Sequence, residues 1–388
     1  MVWGAFAYRA AVSALACTVL LTIVMGLMHH GLENKLIFWP FVLAYVYLAM
    51  ILWMAVLRRC SQLRYRHGIR DIAFLLNHLG LLLVMTFATL GYVDRQQVKM
   101  VTVVGASECR ALAQDGTFRM MPLTIELKRF TLETYDDGTP KRYASELRIK
   151  TQKGDTLTAT VEVNKPVEVD GWMIYQYGYD TQKGAESQTS VLELVSDPWL
   201  PFVYTGIYMM LAGVLLLLTY TQWSYKRLLP IGVLVVVALC IVSYLMPVIR
   251  TTQPVPALQS PWFTPHVLAY IVCYSLMGVA AVMAFWHLAD NLVYVGLIFM
   301  TFGMMFGAFW AKEAWGHYWS WDPKETWAAI TWFSYLLYLH YRRLPNHRPR
   351  LARWLLILSF LLLQMCWWGL KLLPSVQGTS LHVYGANS

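Results

Sequence analysis

Charge is scarce in this chain. Only 14% of its 388 residues are Asp, Glu, Lys or Arg, where a soluble domain carries about 25%. With 57% hydrophobic residues, that shortage points away from a soluble fold. Paired cysteines are also missing. Cys17, Cys60, Cys109, Cys240, Cys273 and Cys366 form no CxxC motif, and Cys109 stands alone in the long polar segment, so no disulfide framework is implied. No small-residue cleavage site follows the first apolar run, which is therefore expected to remain as a helix and not to be removed as a signal peptide. A basic stripe is lacking too. The net charge is +9, but its Arg residues sit between apolar runs, which excludes nucleic acid as the natural partner.

What is present is a series of apolar runs. Nine approach the ~20 residues that span a bilayer: residues 10–28, 36–57, 71–92, 200–222, 228–248, 265–288, 292–311, 325–341 and 353–373. Arg58, Arg59, Arg64, Arg66 and Arg70 separate the second and third runs. Arg342, Arg343, Arg348, Arg350 and Arg353 separate the eighth and ninth, and Lys226 and Arg227 follow the fourth. All three groups fall on one side if every run crosses, and the positive-inside rule makes that side cytoplasmic. The polar segment after the third run and the loop at 312–324 then lie outside.

The polar segment reads as β structure. Residues 123–127, 146–149 and 157–163 alternate apolar and polar, and Asp137-Gly138 and Lys153-Gly154-Asp155 are turn signals between them. A small sandwich or barrel is expected. The fold class is thus a polytopic α-helical membrane protein of about nine transmembrane helices, with one external β-rich domain inserted between helices 3 and 4.

Histidines sort by depth along the runs. His78 lies inside the third run near its cytoplasmic end, and His340 lies at the cytoplasmic end of the eighth. His266 begins the sixth run from outside, and His382 follows the ninth outside. Two pairs at two levels suggest two sites with two nitrogen ligands each. Blander roles exist: a buried His78 bonded to a carbonyl, or a snorkelling His340 at an interface. His67 and His347 lie in the Arg loops, His29, His30 and His287 near span ends, and His317 among tryptophans.

Those tryptophans are the strongest feature: Trp315, Trp319, Trp321 and Trp327 fall within thirteen residues, with Trp332 close behind. An interfacial aromatic belt is the plain explanation. Aromatic faces also suit a flat apolar macrocycle. Asp322-Pro323 restarts a helix, with Glu325 just inside it.

Trp-Gly-x-x-Trp-x-Trp-Asp-Pro-Lys-Glu-Thr-Trp at 315–327 resembles the "WWD" signature of the haem-handling superfamily, which includes CcsA (ResC), CcmC and CcmF. Asn77-His78-Leu79-Gly80, Val163-Asn164-Lys165-Pro166 and Ile174-Tyr175-Gln176-Tyr177 resemble motifs of the partner subunit CcsB (ResB). Together they resemble the fused CcsBA synthases of System II, although the second half has fewer spans than that family implies.

The resemblance implies CcsB-like helices at 1–93, an external domain at 94–199, a closing helix at 200–222 and a CcsA-like region at 228–388 with its WWD loop at 312–327. It implies haem b as transported substrate, with His78 and His340 as transmembrane ligands and His266 and His382 as external ligands. Trp315, Trp319, Trp321, Asp322 and Trp327 form the haem platform. It further implies a holocytochrome c synthase in a bacterial cytoplasmic membrane, attaching haem outside to CxxCH motifs of apocytochrome c, with a thiol-reducing partner. The rival readings are a haem exporter without ligase activity and a di-haem electron-transfer subunit.

Overall fold

The computed structural model describes residues 2–27, 39–63, 68–220 and 254–368. Eight long helices stand in it: α1 (Val2–Leu27), α2 (Trp39–Leu63), α3 (Ile69–Asp94), α4 (Leu200–Tyr220), α5 (Phe263–Met283), α6 (Asp290–Trp315), α7 (Pro323–Arg342) and α8 (Pro349–Trp367). The run at 228–248 lies outside the described residues, as does His382. Seven of these helices are long and apolar enough to cross a membrane, and the chain is an integral membrane protein.

The eighth, α7, is less apolar because it stands inside the bundle. Its Trp327, Trp332, Tyr335 and Tyr338 are buried, so protein surrounds it where the other helices face lipid. Its small hydroxyls are satisfied along its own axis: Thr331 donates to the Trp327 carbonyl at 2.8 Å and Ser334 to the Thr331 carbonyl at 2.7 Å. Hydropathy alone underestimates such a helix.

Neighbouring helices close a circuit, α1–α2–α3–α4–α6–α5–α8–α7 and back to α1, with α6 also against α7. The closest approach is between α3 and α4. A Cβ added to Gly80 would stand 2.7 Å from the Gly206 carbonyl oxygen, and one added to Gly206 would stand 2.7 Å from the Gly80 carbonyl oxygen. Gly213 leaves room for the Asn77 side chain in the same seam. Small residues allow this contact in a membrane, where packing drives helix association.

Between α3 and α4 the chain builds eight strands: β1 (Gln96–Val103), β2 (Ser107–Ala113), β3 (Phe118–Thr134), β4 (Pro140–Lys150), β5 (Thr156–Glu162), β6 (Val167–Val169), β7 (Trp172–Tyr179) and β8 (Thr189–Ser196). They form one antiparallel sheet in the order β5-β4-β3-β2-β1-β8-β7-β6. The edge strands β5 and β6 are joined through the Glu162–Lys165 turn, so the sheet curls on itself. Ser145 of β4 and Ser190 of β8 meet across the interior at 2.7 Å. Leu123, Ile125 and Leu127 alternate inward, as their sequence pattern predicts, beside Leu147, Ile149 and Val161. Both expected turns form, with Gly138 and Gly154 at φ 82° and 93°, a region open to glycine at little cost.

The sheet rests on the bundle through two seams. Tyr175 and Val195 meet Gly316, which ends α6 in the left-handed conformation. Asn164 donates to the Pro256 carbonyl at 2.7 Å, and Gln259 donates to the Lys141 carbonyl at 2.9 Å. Because α3 runs toward the sheet and α4 away from it, the bundle has a sheet end and a far end.

Candidate functional site

The loop from Gly316 to Asp322 covers the sheet end of the bundle. Its close is fixed by the start of α7. Asp322 accepts from Lys324 N at 2.8 Å and Glu325 N at 3.0 Å, and Glu325 accepts in return from Asp322 N at 3.2 Å and Ser320 N at 2.7 Å. This is a reciprocal capping box with Pro at the first helical turn. Trp321 precedes it at φ 58°, a left-handed conformation that costs a side-chain-bearing residue ~1 kcal/mol. Thr326 secures it by donating to the Trp321 carbonyl at 3.0 Å.

Below the loop lies a cavity of about 1600 Å³, larger than the ~300–1,000 Å³ of most ligand sites. It occupies the part of the circuit formed by α1, α2, α3, α4, α6 and α7. Along α3 it follows Leu79 to Arg95, a rise of ~24 Å at 1.5 Å per residue. Trp319, Trp321 and Asp322 line it under the loop, together with Tyr318 and Phe41. Trp321 meets Phe41 and Trp319 edge-on, at centroid distances of 5.5 and 5.6 Å.

The other two platform tryptophans are placed differently. Trp315 packs on Trp310 at 5.1 Å. Trp327 is 3% exposed and stands beside Gly26 of α1. Neither is among the cavity-lining residues; both hold the loop's two ends to the bundle.

His78, in the first half of α3, and His340, in the last turn of α7, lie toward the far end. The His78 Nδ1 bonds the Phe74 carbonyl at 2.8 Å, and the His340 Nδ1 bonds the Leu336 carbonyl at 2.8 Å. A carbonyl oxygen only accepts, so each Nδ1 donates and each Nε2 keeps its lone pair, the tautomer in which imidazole binds iron. The carbonyl-bonded role and the ligand role are therefore compatible. Phe74 stacks on His78 at 3.7 Å, and the Arg59 guanidinium lies 4.7 Å from the Phe74 centroid while pairing with Asp71 at 3.2 Å.

His266 is at the sheet end, in the first turn of α5. Its Nδ1 bonds the Gly303 carbonyl at 2.8 Å. A Cβ on Gly307 would stand 2.7 Å from its Nδ1, so the ring sits in a notch that only glycine permits. Trp262 and Ser260 hold the start of α5 to α6 by donating to Glu313 at 2.8 and 3.1 Å. The Gly303-x-x-x-Gly307 spacing was the sequence signal for this notch.

His317 is the loop's own histidine. Its Nδ1 is buried without a hydrogen-bond partner among the described residues. Burial pushes its pKa down to about 4, with Arg95 and Lys312 acting in the same direction.

Comparison with known proteins agrees with this division. Residues 287–376 match the family described as Cytochrome C assembly protein, and residues 65–191 match the ResB-like family. The chain is 36% identical over 154 residues to Cytochrome c biogenesis protein CcsA of Chlamydomonas reinhardtii, covering 34% of this chain and 42% of that protein. It is 44% identical over 98 residues to the CcsA of Oenothera argillicola, covering 25% and 30%. Against the CcsA of Lactuca sativa it is 46% identical over 96 residues, covering 25% and 29%. The chain thus spans less than half the length of these relatives. His340 and the loop's tryptophans fall inside the first matched segment, and His78 with most of the sheet falls inside the second; His266 and His382 lie outside both. On one polypeptide the chain thus carries a segment similar to the ResB-like family and a segment similar to the cytochrome c assembly family.

Proposed function

We propose that the protein moves haem b across the cytoplasmic membrane and attaches it to apocytochrome c on the outer side. The observation that carries this reading is the cavity, which runs along α3 from Leu79 to Arg95 and ends under Trp319 and Trp321; His78, His266 and His340 are not among its lining residues. Its lining is largely apolar and aromatic, which fits a flat macrocycle, and His78 and His340 each spend Nδ1 on a backbone carbonyl, which leaves Nε2 as the ligating atom.

His78 and His340 hold haem near the cytoplasmic side, where Arg58, Arg59, Arg342 and Arg343 cluster. His266 holds it outside, at the sheet end, and His382, outside the described residues, is the proposed second ligand there. Two imidazoles on one iron fill its axial positions and limit oxygen chemistry. The chain's main task at the outer site is alignment of thiols with vinyl groups, and alignment of bound reactants lowers a barrier by several kcal/mol. The two thiols of a CxxCH motif add across the vinyl groups to give thioethers, the haem supplying the reactive carbons. A thiol-reducing partner keeps that motif reduced.

The test is co-expression with a CxxCH reporter in cells that lack their own maturation system. Covalent haem on the reporter is expected with this chain and absent without it. A reporter that stays free of haem, with this protein present in the membrane, overturns the reading.

A further inference from the structure

Arg95 follows α3 at the sheet end of the cavity, and its half-buried side chain forms part of the lining. Among the described lining residues it is the one Lys or Arg. A guanidinium beside an apolar chamber ordinarily pairs with a carboxylate, and the carboxylates near it are engaged elsewhere. Asp94 accepts from the Trp199 indole at 2.6 Å, and Asp197 accepts from Trp199 N at 3.0 Å. Glu193 accepts from Gln97 at 2.7 Å. Asp322, the one carboxylate in the lining, is turned to the first turn of α7. Among the described residues, Arg95 has no ion-pair or side-chain hydrogen-bond partner.

The chamber therefore presents a long apolar body with one planar cation at its sheet end. A ligand complementary to it is flat and apolar with carboxylates on one edge. The five donors of a guanidinium match a carboxylate in the plane, and a propionate-type side chain reaches such a donor without bringing charge into the apolar part. We propose that Arg95 binds the carboxylate edge of the macrocycle and so fixes which edge of the ligand lies under the loop. This rests on the haem-handling reading above and adds to it an orientation: the carboxylate edge lies by Arg95, and the unsubstituted faces lie along Trp319 and Trp321.

Metal-free protoporphyrin IX and its dimethyl ester test this without any contribution from iron ligation. Each is titrated into the purified full-length protein in detergent, with porphyrin fluorescence as the readout. The wild type should prefer the diacid over the diester by roughly tenfold, the worth of a charge-assisted hydrogen bond. Arg95→Gln should lose that preference while binding the diester as the wild type does, which also shows that the variant is folded. Arg95→Lys should keep part of it, having the charge without the planar fork. An Arg95→Gln protein with the wild-type preference overturns the assignment of Arg95 alone. Binding of neither porphyrin by the wild type overturns the haem-handling reading and this inference with it.

Discussion

Asp322 and Glu325 cap each other across the first turn of α7, each carboxylate accepting the other residue's backbone N–H, at 3.0 and 3.2 Å. The aspartate of the tryptophan-rich signature is therefore engaged in holding Trp321 in its left-handed turn. Asp322→Ala should cost ~1 kcal/mol of stability, the usual worth of an N-cap, and should release porphyrin as the loop loosens. Asp322→Asn, which caps as well without charge, should stay near wild type in both. Thermal unfolding in detergent and porphyrin retention measure this. Equal loss in the two variants would mean that the charge itself acts on the ligand.

The seam of Gly80 and Gly206 leaves no space for a methyl group. Gly206→Val should destabilise the protein by about 1–3 kcal/mol, the range for forced overpacking, because two of the obstructing atoms, the Gly80 carbonyl oxygen and Val84 N, are backbone and cannot swing away. A lower midpoint of thermal unfolding, with less porphyrin bound, is the expected outcome. A wild-type midpoint would show that α3 and α4 can part freely.

His266 depends on the notch at Gly307. Gly307→Ala should displace the ring and weaken outer haem binding by roughly 10–100-fold, as losses around a metal ligand do. His266→Gly should abolish attachment, with partial rescue of ligation by added imidazole. Haem spectra and covalent haem on a CxxCH reporter, at matched protein level, measure both. Reporter maturation at wild-type yield in His266→Gly and in His382→Gly would remove these residues from the ligand set.

His317 gives the fold a dependence on pH. Its folded pKa of about 4 lies below its ordinary value of 6.5, so between those values the unfolded chain binds more protons. Stability is then full above about pH 6.5 and falls as pH drops toward 4, by a few kcal/mol at most. His317→Asn should flatten that limb of a plot of unfolding midpoint against pH. An unchanged slope would assign the acid sensitivity to other groups.

Topology gives a separate check. On the proposed orientation the sheet lies outside, so a reporter that works only in an oxidising compartment should be active when fused near Gly138. Activity solely of a cytoplasmic reporter there would invert the orientation.

The sheet was legible because alternation at 123–127 and 146–149 reports directly which side of a strand is buried, and Asp-Gly reports a turn. Depth was legible for His78, His266 and His340 because a span has two ends and Arg marks one of them. Lateral placement was not. Periodicity says that a helix has a buried face but not which helix covers it, so the separation of Trp319 and Trp321 in the cavity from Trp315 and Trp327 in the packing could not be read. Nothing in the sequence sets Arg95 apart, because a charge after an apolar run does not say whether it faces a cavity or solvent. The interior position of α7 was hidden too, since residues 325–341 read as a span like the others.

Asn164 and Gln259 tie the sheet to the segment from Pro254 to Gln259, only a few residues ahead of His266. The sheet and the imidazole are thus the handle and the tip of one short lever. A displacement of the sheet is therefore passed to the start of α5 through these bonds.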